Sequence, residues 1–376
     1  MTEEWQAALR LQLTPGLGLR RAKALVQHLG GCQQALHAGD GILRDALGPR
    51  LWSALRALPA DLTDALARVR QWLDSAPDGQ SHRVRVWGQA HYPQALLDLP
   101  DPPLLLFVTG PQHEADVDWP PSVALVGSRG ATPQGLTLAL EWGQALADAG
   151  WCVVSGLAHG IDAAAHAGAL RSARSACLTM AVMGTGPDRV YPPSHAALKS
   201  RICERGRCVT EFLPGIPARR AHFPLRNRLV SALSSGLVVI EAGTGSGSLI
   251  SAQCALEQGK EVMAVPGSVR SPLSRGCHAL LRQGATLVEQ VEDVLAALPV
   301  RMPLVPVPST PCPVAAPDDP DALALRRALA HDPVAVDELQ RRLGLDMGTL
   351  QARLLTLEMQ GRLARLAGDR VQWLGD

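Results

Sequence analysis

Along the middle of the chain, short runs of consecutive apolar residues alternate with longer stretches in which apolar residues recur every third or fourth position. The runs Ser122–Val126, Cys152–Ser155, Cys177–Met183, Val209–Phe212, Leu237–Ile240, Val262–Val265 and Thr286–Val288 predict strands with neither face in water. Between them, Gln134–Ala149, His159–Leu170, the segment after Phe223, the one from Ser248 and the one from Arg275 have helical periodicity. Buried strands separated by helices specify an α/β fold with a mainly parallel sheet covered on both sides. Ligands of such sheets sit at the carboxyl ends of the strands, where this chain concentrates glycine and charge: GSR, SGLAHG, GTG, EAGTGSGS and VPGS.

The flanks follow other patterns. Residues 1–80 are helical in periodicity. Within them Leu13–Leu29 places Pro15, Gly16 and Gly18 between two helices, a helix-hairpin-helix arrangement with Ala22, Leu25, Val26 and Leu29 inward. There the glycine turn would let amides approach a DNA phosphate, with Arg20, Arg21 and Lys23 adding charge. The alternative is a packing module, which nine basic against eight acidic residues favour. Short strands at Val84–Trp87 and Leu104–Val108, punctuated by prolines, open a central unit over residues 81–298. Residues 299–320 are proline-dense and predict an extended tether. Residues 321–376 give helical patterns at Ala322–Ala330, Val336–Leu343 and Met347–Gln360, then a hairpin in LARLAGDRVQWL, the order of a winged helix with Asp346 capping the third helix. That helix carries Arg353 and Glu358, and the segment balances eight arginines against eight acids. Protein docking or regulation therefore stands beside DNA binding for it.

Composition narrows the chemistry. At 376 residues and 47% hydrophobic, the chain has material for two or three cored domains. A formal net charge of +1 excludes a globally basic nucleic-acid coat, so any DNA contact must come from a patch. The eight cysteines at 32, 152, 177, 203, 208, 254, 277 and 312 form no CxxC pair and have no clustered histidine, as expected of reduced thiols in a cytoplasmic protein with no metal site. The opening MTEEWQAALR does not read as a signal peptide, and no apolar stretch reaches the length of a membrane span.

A basic patch does exist. From Lys199 to Arg228 eight basic residues, among them Arg219, Arg220, Arg226 and Arg228, face only Glu204 and Glu211. Phe223 adds a π-face, and Gly243, Gly245 and Gly247 alternate with Thr244, Ser246 and Ser248 where a helix should begin. Amides freed by glycine, hydroxyls and a helix N-terminus bind anions, although alternating glycines after a strand also make a plain tight turn. Cations interleaved with an aromatic suit single-stranded nucleic acid, whose phosphates need charge and whose bases need a stacking surface.

Nucleotide-enzyme motifs are missing. GSRG follows the first parallel strand in place of GxGxxG, and no GxxxxGK[ST] occurs. Asp162 and His166, spaced i, i+4, read either as an acid–base pair or, more simply, as a hydrogen-bonded helix face. Glu241, at a strand end beside glycines, is the best lone carboxylate for a nucleotide or nucleoside-phosphate hydrolase, the competing function, but no second group to work with it is evident.

The ordered motifs ALVGSRGATPQG, VVSGLAHGIDAAAHAGAL, AVMGTGPDRVYPPSH, TEFLPG, HFPLRNRLVSALSSGLVVIEAGTGSGSLISAQCALEQGKEVMAVPGSV and GCHALLRQGATLV resemble the DNA-processing protein A (DprA, or Smf) family over about residues 82–297. The resemblance implies an extended Rossmann-like domain that binds single-stranded DNA, protects it during natural transformation and loads the RecA recombinase, working as a dimer without a cofactor, with single-strand binding protein as a further partner. Carried over by position, it implies DNA contacts from Gly127, Ser128, Arg129, Arg189, Arg219 or Arg220, Phe223, Arg226, Asn227, Arg228, Ser246, Gly247 and Ser248. We assign the dimer surface to the apolar positions around His278, Leu281 and Leu287. The chain departs from the pattern at His159, where the family often has arginine, and at His195, where it often has asparagine. A titrating His159 in the groove would strengthen binding as pH falls from 8 to 6.

Overall fold

The structure is a computed structural model that describes residues 3–112, 119–174, 177–298, 320–329, 333–360, 362–366 and 368–374. Five helices open the chain: α1 (Glu4–Leu13), α2 (Leu19–Leu29), α3 (Cys32–His37), α4 (Asp40–Arg56) and α5 (Leu62–Asp74). Gly16, at φ 79°, turns the chain between α1 and α2. Their apolar stripes form a core that continues without a break into the next two strands, β1 (Gln80–Val86) and β2 (Leu105–Pro111), through Val86, Leu104, Leu105 and Phe107. Trp72 of α5 stacks on His82 of β1 with centroids 4.5 Å apart and meets Phe107 of β2 edge-on. Lys23 donates to the carbonyls of Leu97 and Leu99 at 3.0 and 2.8 Å, so this cation ties the helices to the sheet unit and leaves Arg20 and Arg21 as the exposed charges of the hairpin.

The alternation expected of the middle of the chain is present as β3 (Ser122–Val126), α6 (Pro133–Asp148), β4 (Cys152–Ser155), α7 (Ile161–Ala169), β5 (Thr179–Val182), α8 (Ala196–Arg205), β6 (Arg207–Thr210), α9 (His222–Ala232), β7 (Gly236–Val239), α10 (Gly247–Glu257), β8 (Glu261–Ala264), α11 (Arg275–Arg282), β9 (Thr286–Leu287) and α12 (Val291–Ala297). The nine strands lie in the order β1-β2-β6-β5-β4-β3-β7-β8-β9. All neighbours from β6 to β9 are parallel, and the β1–β2–β6 edge is antiparallel. Two apolar layers, one containing Val126, Val154, Val182 and Val239 and the other Val123, Val153, Trp142 and Val238, cover opposite faces, as the period-2 side-chain alternation of a strand requires.

Helices α8 and α12 were not legible as patterns. In α8 only Ile202 and Cys203 are buried, and α12 is a seven-residue helix held by a reciprocal cap between Gln290 and Asp293. Strand β6 begins two residues before the expected Val209, because Arg207 and Cys208 already pair with Met180 and Ala181 of β5; the buried Arg207 packs its guanidinium 5.3 Å from the Trp119 ring centroid. Beyond the sheet lie α13 (Pro320–Leu329), β10 (Val334–Ala335), α14 (Val336–Leu343), α15 (Met347–Met359), β11 (Leu363–Leu366) and β12 (Arg370–Trp373), the winged-helix order, with Asp346 accepting from the Thr349 amide as the cap of α15. The expected tether at 299–320 and Cys312 fall outside the described residues, apart from Pro320.

Helices α6 and α7 approach so closely that a methyl on Gly168 would lie 1.9 Å from the Leu140 carbonyl oxygen and one on Gly143 2.4 Å from that of Ala165. His166 of α7 is fully buried. Thr179 spends its hydroxyl proton on the Val153 carbonyl at 2.6 Å, so the 2.7 Å contact from His166 Nδ1 must be donated by the ring. Nε2 then has no hydrogen-bond partner. Burial holds the imidazole far down, at about 3, with Arg226 and His195 adding repulsion.

Two outcomes are expected. Gly168→Ala should cost about 1–3 kcal/mol in urea unfolding, because backbone cannot step aside as a side-chain tip can. Because the folded pKa of His166 lies below its unfolded value, the stability from keeping it neutral is present above about 6.5 and is lost as pH falls toward about 3. The stability of the wild type relative to His166→Gln should therefore decline on acidification, by at most about 1.4 kcal/mol per pH unit. A pH-independent difference would show that the ring does not titrate this way.

Candidate nucleic-acid interface

From β3 the chain winds one way through β4, β5 and β6, and from β7 the other way through β8 and β9. The topology therefore reverses between the paired strands β3 and β7, where doubly wound sheets leave a crevice. A cleft of about 790 Å³ opens there. One wall is the loop after β3. The Ser128 amide donates to the Glu241 carbonyl at 2.7 Å and its carbonyl accepts from Ile161 at 3.2 Å, which fixes the backbone and leaves the Arg129 side chain in solvent. A second wall is the start of α10, capped by Ser246, whose hydroxyl lies 2.6 Å from that of Ser248. A methyl on Gly245 or Gly247 would meet nothing within 4 Å, and neither residue has positive φ. Packing does not ask for glycine there; it leaves bare backbone, with the positive end of a helix, facing the cleft.

The third wall is the first turns of α9. Phe223 is half-buried, with Tyr191 5.5 Å from its centroid at a tilt of 45° and the Arg129 guanidinium carbon 5.4 Å above its ring. Arg220 lies exposed on the rim, and Asn227 donates to the Gly247 carbonyl at 3.2 Å, joining α9 to the mouth of α10. Gly127, Ser128, Arg129, Arg220, Phe223, Arg226, Asn227, Ser246, Gly247 and Ser248 thus share one cavity. Tyr191 belongs with them and was missed in the sequence; its signal was an aromatic in YPP two residues after Arg189.

Other expected groups are placed differently. Arg226 lines the floor but is only 4% exposed. Its Nη1 donates to the Val182 carbonyl at 2.7 Å, and a methyl on Gly156 would collide with it. Desolvation brings Arg226 down to about 10, opposed by Asp162, so it stays a cation at neutral pH. Arg228 points out of the cleft. Its Nη2 donates to Glu211 and its Nε lies 3.7 Å from Asp101, an engagement that a spacing of two on a helix makes natural, since Arg226 and Arg228 must face different ways. Burial raises Glu211 to about 7 despite Arg228. Arg189 pairs with Asp188 at 3.4 Å, and neither it nor Arg219 lines the cavity.

His159 is exposed beside the cavity, edge-on to His195 at 4.8 Å, and does not line it. Asp162 and His166 do not bond to each other. Asp162 accepts the amides of Gly156 and Ala158 at 3.1 and 3.3 Å and so fixes the SGLA turn, while His166 turns to Thr179. Burial pushes the Asp162 carboxyl up, with Arg226 and those amides opposing. Glu241, the candidate hydrolase carboxylate, faces away from the cavity and accepts from the Thr132 amide and hydroxyl at 2.9 and 2.6 Å; burial raises it and these bonds oppose. Among the described residues, no cluster of three or more histidine, cysteine, aspartate or glutamate side chains could hold a metal.

Removing the guanidinium from the floor would leave Asp162 buried beside a void. Arg226→Ala should therefore lower stability by about 3 kcal/mol, read from chemical unfolding. Arg129→Ala, at an exposed position, should stay within about 0.5 kcal/mol.

Comparison with known proteins identifies the family. The family profile described as DNA recombination-mediator protein A matches residues 83–299, and that of the DprA winged helix domain matches residues 308–369. Protein Smf of Escherichia coli (strain K12) is 37% identical over 307 residues, spanning 80% of this chain and 79% of its own. The DNA processing protein DprA of Streptococcus pneumoniae is 42% identical over 205 residues, spanning 54% of this chain and 70% of its own. The X-ray structure of DNA processing protein A from Streptococcus pneumoniae superposes with a TM-score of 0.64 at 31% identity, over 79% of this chain and 98% of that one. The Helicobacter pylori protein, whose structure is described in terms of its single-stranded DNA binding mode, does so with a TM-score of 0.50 at 28% identity, over 56% and 94%. The chain belongs to the DNA recombination-mediator protein A family.

Proposed function

We propose that the switch-point cleft binds single-stranded DNA without sequence preference, and that the protein hands this DNA to the RecA recombinase and protects it during natural transformation. The observation that carries the reading is the Arg129–Phe223–Tyr191 group, a solvent-facing cation beside two rings, set opposite the bare amides at the start of α10. Phosphates fit the cation and amides, and a base of any identity fits a ring. Support also comes from the Helicobacter pylori relative, described as binding single-stranded DNA. Binding rather than catalysis is the favoured role, because Asp162, the one carboxylate that lines the cleft among the described residues, is committed to Gly156, Ala158 and Arg226.

In this proposal the direct contacts come from Arg129, Arg220, Phe223, Tyr191 and the loops Gly127–Ser128 and Ser246–Ser248. Arg226 and Asn227 hold the floor in shape, and Arg189, Arg219 and Arg228 act outside the cleft. The segments 1–80 and 81–298 work together on their shared core and 321–376 is joined to them by a tether at 299–320, in the cytoplasm, as a homodimer and alongside single-strand binding protein. Support for the dimer surface is the two-residue edge strand β9, whose Leu287 is half exposed.

Fluorescence titration with an unstructured oligonucleotide and its duplex, at several salt concentrations, tests the reading. Arg129→Ala should weaken binding and reduce the log–log salt slope by about 0.7, one released counterion on a single strand. Phe223→Ala and Tyr191→Ala should each cost about 1–3 kcal/mol and leave the slope unchanged. Equal slopes in all variants would reverse the assignment of charge and stacking.

A further inference from the structure

Two thiols meet where α8 turns into β6. The chain there runs Cys203-Glu204-Arg205-Gly206-Arg207-Cys208, and the sulfurs of its two cysteines lie 3.5 Å apart without a bond between them. A disulfide, with its sulfurs about 2 Å apart, asks only for closer approach of two side chains that already touch. The two differ in access. Cys203 lines a cavity of about 390 Å³ between α5, β1 and α8, together with Trp72, His82 and Lys199, and Cys208 does not. They also differ in chemistry. The hydrogen bond to Cys208 and the Lys199 ammonium one turn earlier on α8 draw the Cys203 thiol below its ordinary value, against burial and Glu204; the same bond, with burial, pushes Cys208 well up. A sulfur that ionises readily and faces a cavity, beside one that keeps its proton, is the arrangement of an attacking and a resolving cysteine. Cys152 and Cys177, 3.9 Å apart, are the natural comparison. There the Cys177 sulfur also lies 3.8 Å from the Thr179 carbonyl, and the bond to Cys177, with burial, pushes Cys152 well up.

We propose that Cys203 and Cys208 are a reversible dithiol–disulfide pair, oxidised by a hydroperoxide that enters the cavity beside α8. The Cys203 sulfur attacks one peroxide oxygen: an S–O bond forms, the O–O bond breaks, and the displaced hydroxide leaves as water with the Cys203 proton. The Cys208 sulfur then attacks the sulfenic acid. An S–S bond forms, the S–O bond breaks, and the departing hydroxide takes the Cys208 proton as a second water. The pair of thiols supplies the electron pair that the peroxide accepts, and a dithiol reductant restores the resting state. The bond fastens the end of α8 to the start of β6. Compartments that keep thiols reduced admit such bonds as transient, redox-sensing ones. This chemistry is independent of what the switch-point cleft binds.

To test this, the reduced full-length protein is treated with hydrogen peroxide, the remaining thiols are blocked with iodoacetamide in denaturant, and tryptic peptides are weighed. Trypsin cuts after Arg205 and Arg207, so Cys203 and Cys208 fall on separate peptides that stay joined only through a disulfide. The expected result is that joined pair, and its disappearance on treatment with dithiothreitol. Cys208→Ser should stop at a Cys203 sulfenic acid, captured by dimedone. In Cys203→Ser, Cys208 should remain a thiol at peroxide levels that convert the wild type fully. Both replacements fall in the core, so the wild-type peptide map decides alone if either variant fails to fold. A link between Cys152 and Cys177 in place of this one, oxidation of the more exposed Cys254 alone, or a full set of unmodified thiols would overturn the proposal.

Discussion

The cleft depends on one buried cation. Arg226 lies under the loops, bonded to the carbonyl at the end of β5, pressed against Gly156 and electrically balanced by Asp162, which in turn holds the amides of the turn after β4. An uncompensated guanidinium in such a place would cost several kcal/mol. Three elements are therefore locked together: α9 by its own backbone, β5 by its terminal carbonyl and the SGLA turn by Asp162. With the floor rigid, the exposed groups above it, Arg129, Phe223 and Tyr191, are presented in one relative arrangement.

Much of this architecture was legible because it is written in periodicity. The runs at Ser122–Val126, Cys152–Ser155 and Leu237–Ile240 became parallel strands within a residue of their expected ends, since an all-apolar run has few alternatives in a sheet buried on both faces. The site was legible by class of residue but not by direction. Arg226 and Arg228 look alike in the sequence, yet one is a buried strut and the other is bound to Glu211 and Asp101. Their roles depend on which acids other segments bring near, and no local pattern encodes that. Glu241 was misleading for the same reason: its partner Thr132 lies 109 positions away. Tyr191 was passed over because a lone tyrosine between a valine and two prolines has no periodicity to betray a neighbour such as Phe223.

The histidines illustrate how position overrides type. His159 and His195 pack on each other beside the cleft, and His222 stacks on Phe212 with its ring donating to the Gly184 carbonyl. His166, sealed between α7 and β5, is held neutral by burial. Residues of one chemical kind thus serve as surface stack, loop anchor and core hydrogen-bond donor.

The core shared by the N-terminal helices and the first two strands has a consequence for how the molecule comes apart. Leu104, Leu105 and Phe107 are covered on one side by α1, α5 and their neighbours, and Trp72 is clasped between His82 and Phe107. Although sequence periodicity changes near residue 80, the hydrophobic interior does not. A fragment beginning at β1 would present a wide greasy face and an unshielded sheet margin to water, the combination that drives self-association. Helices and sheet should melt in concert, and the border between them is a change of secondary structure that the energetics do not recognise.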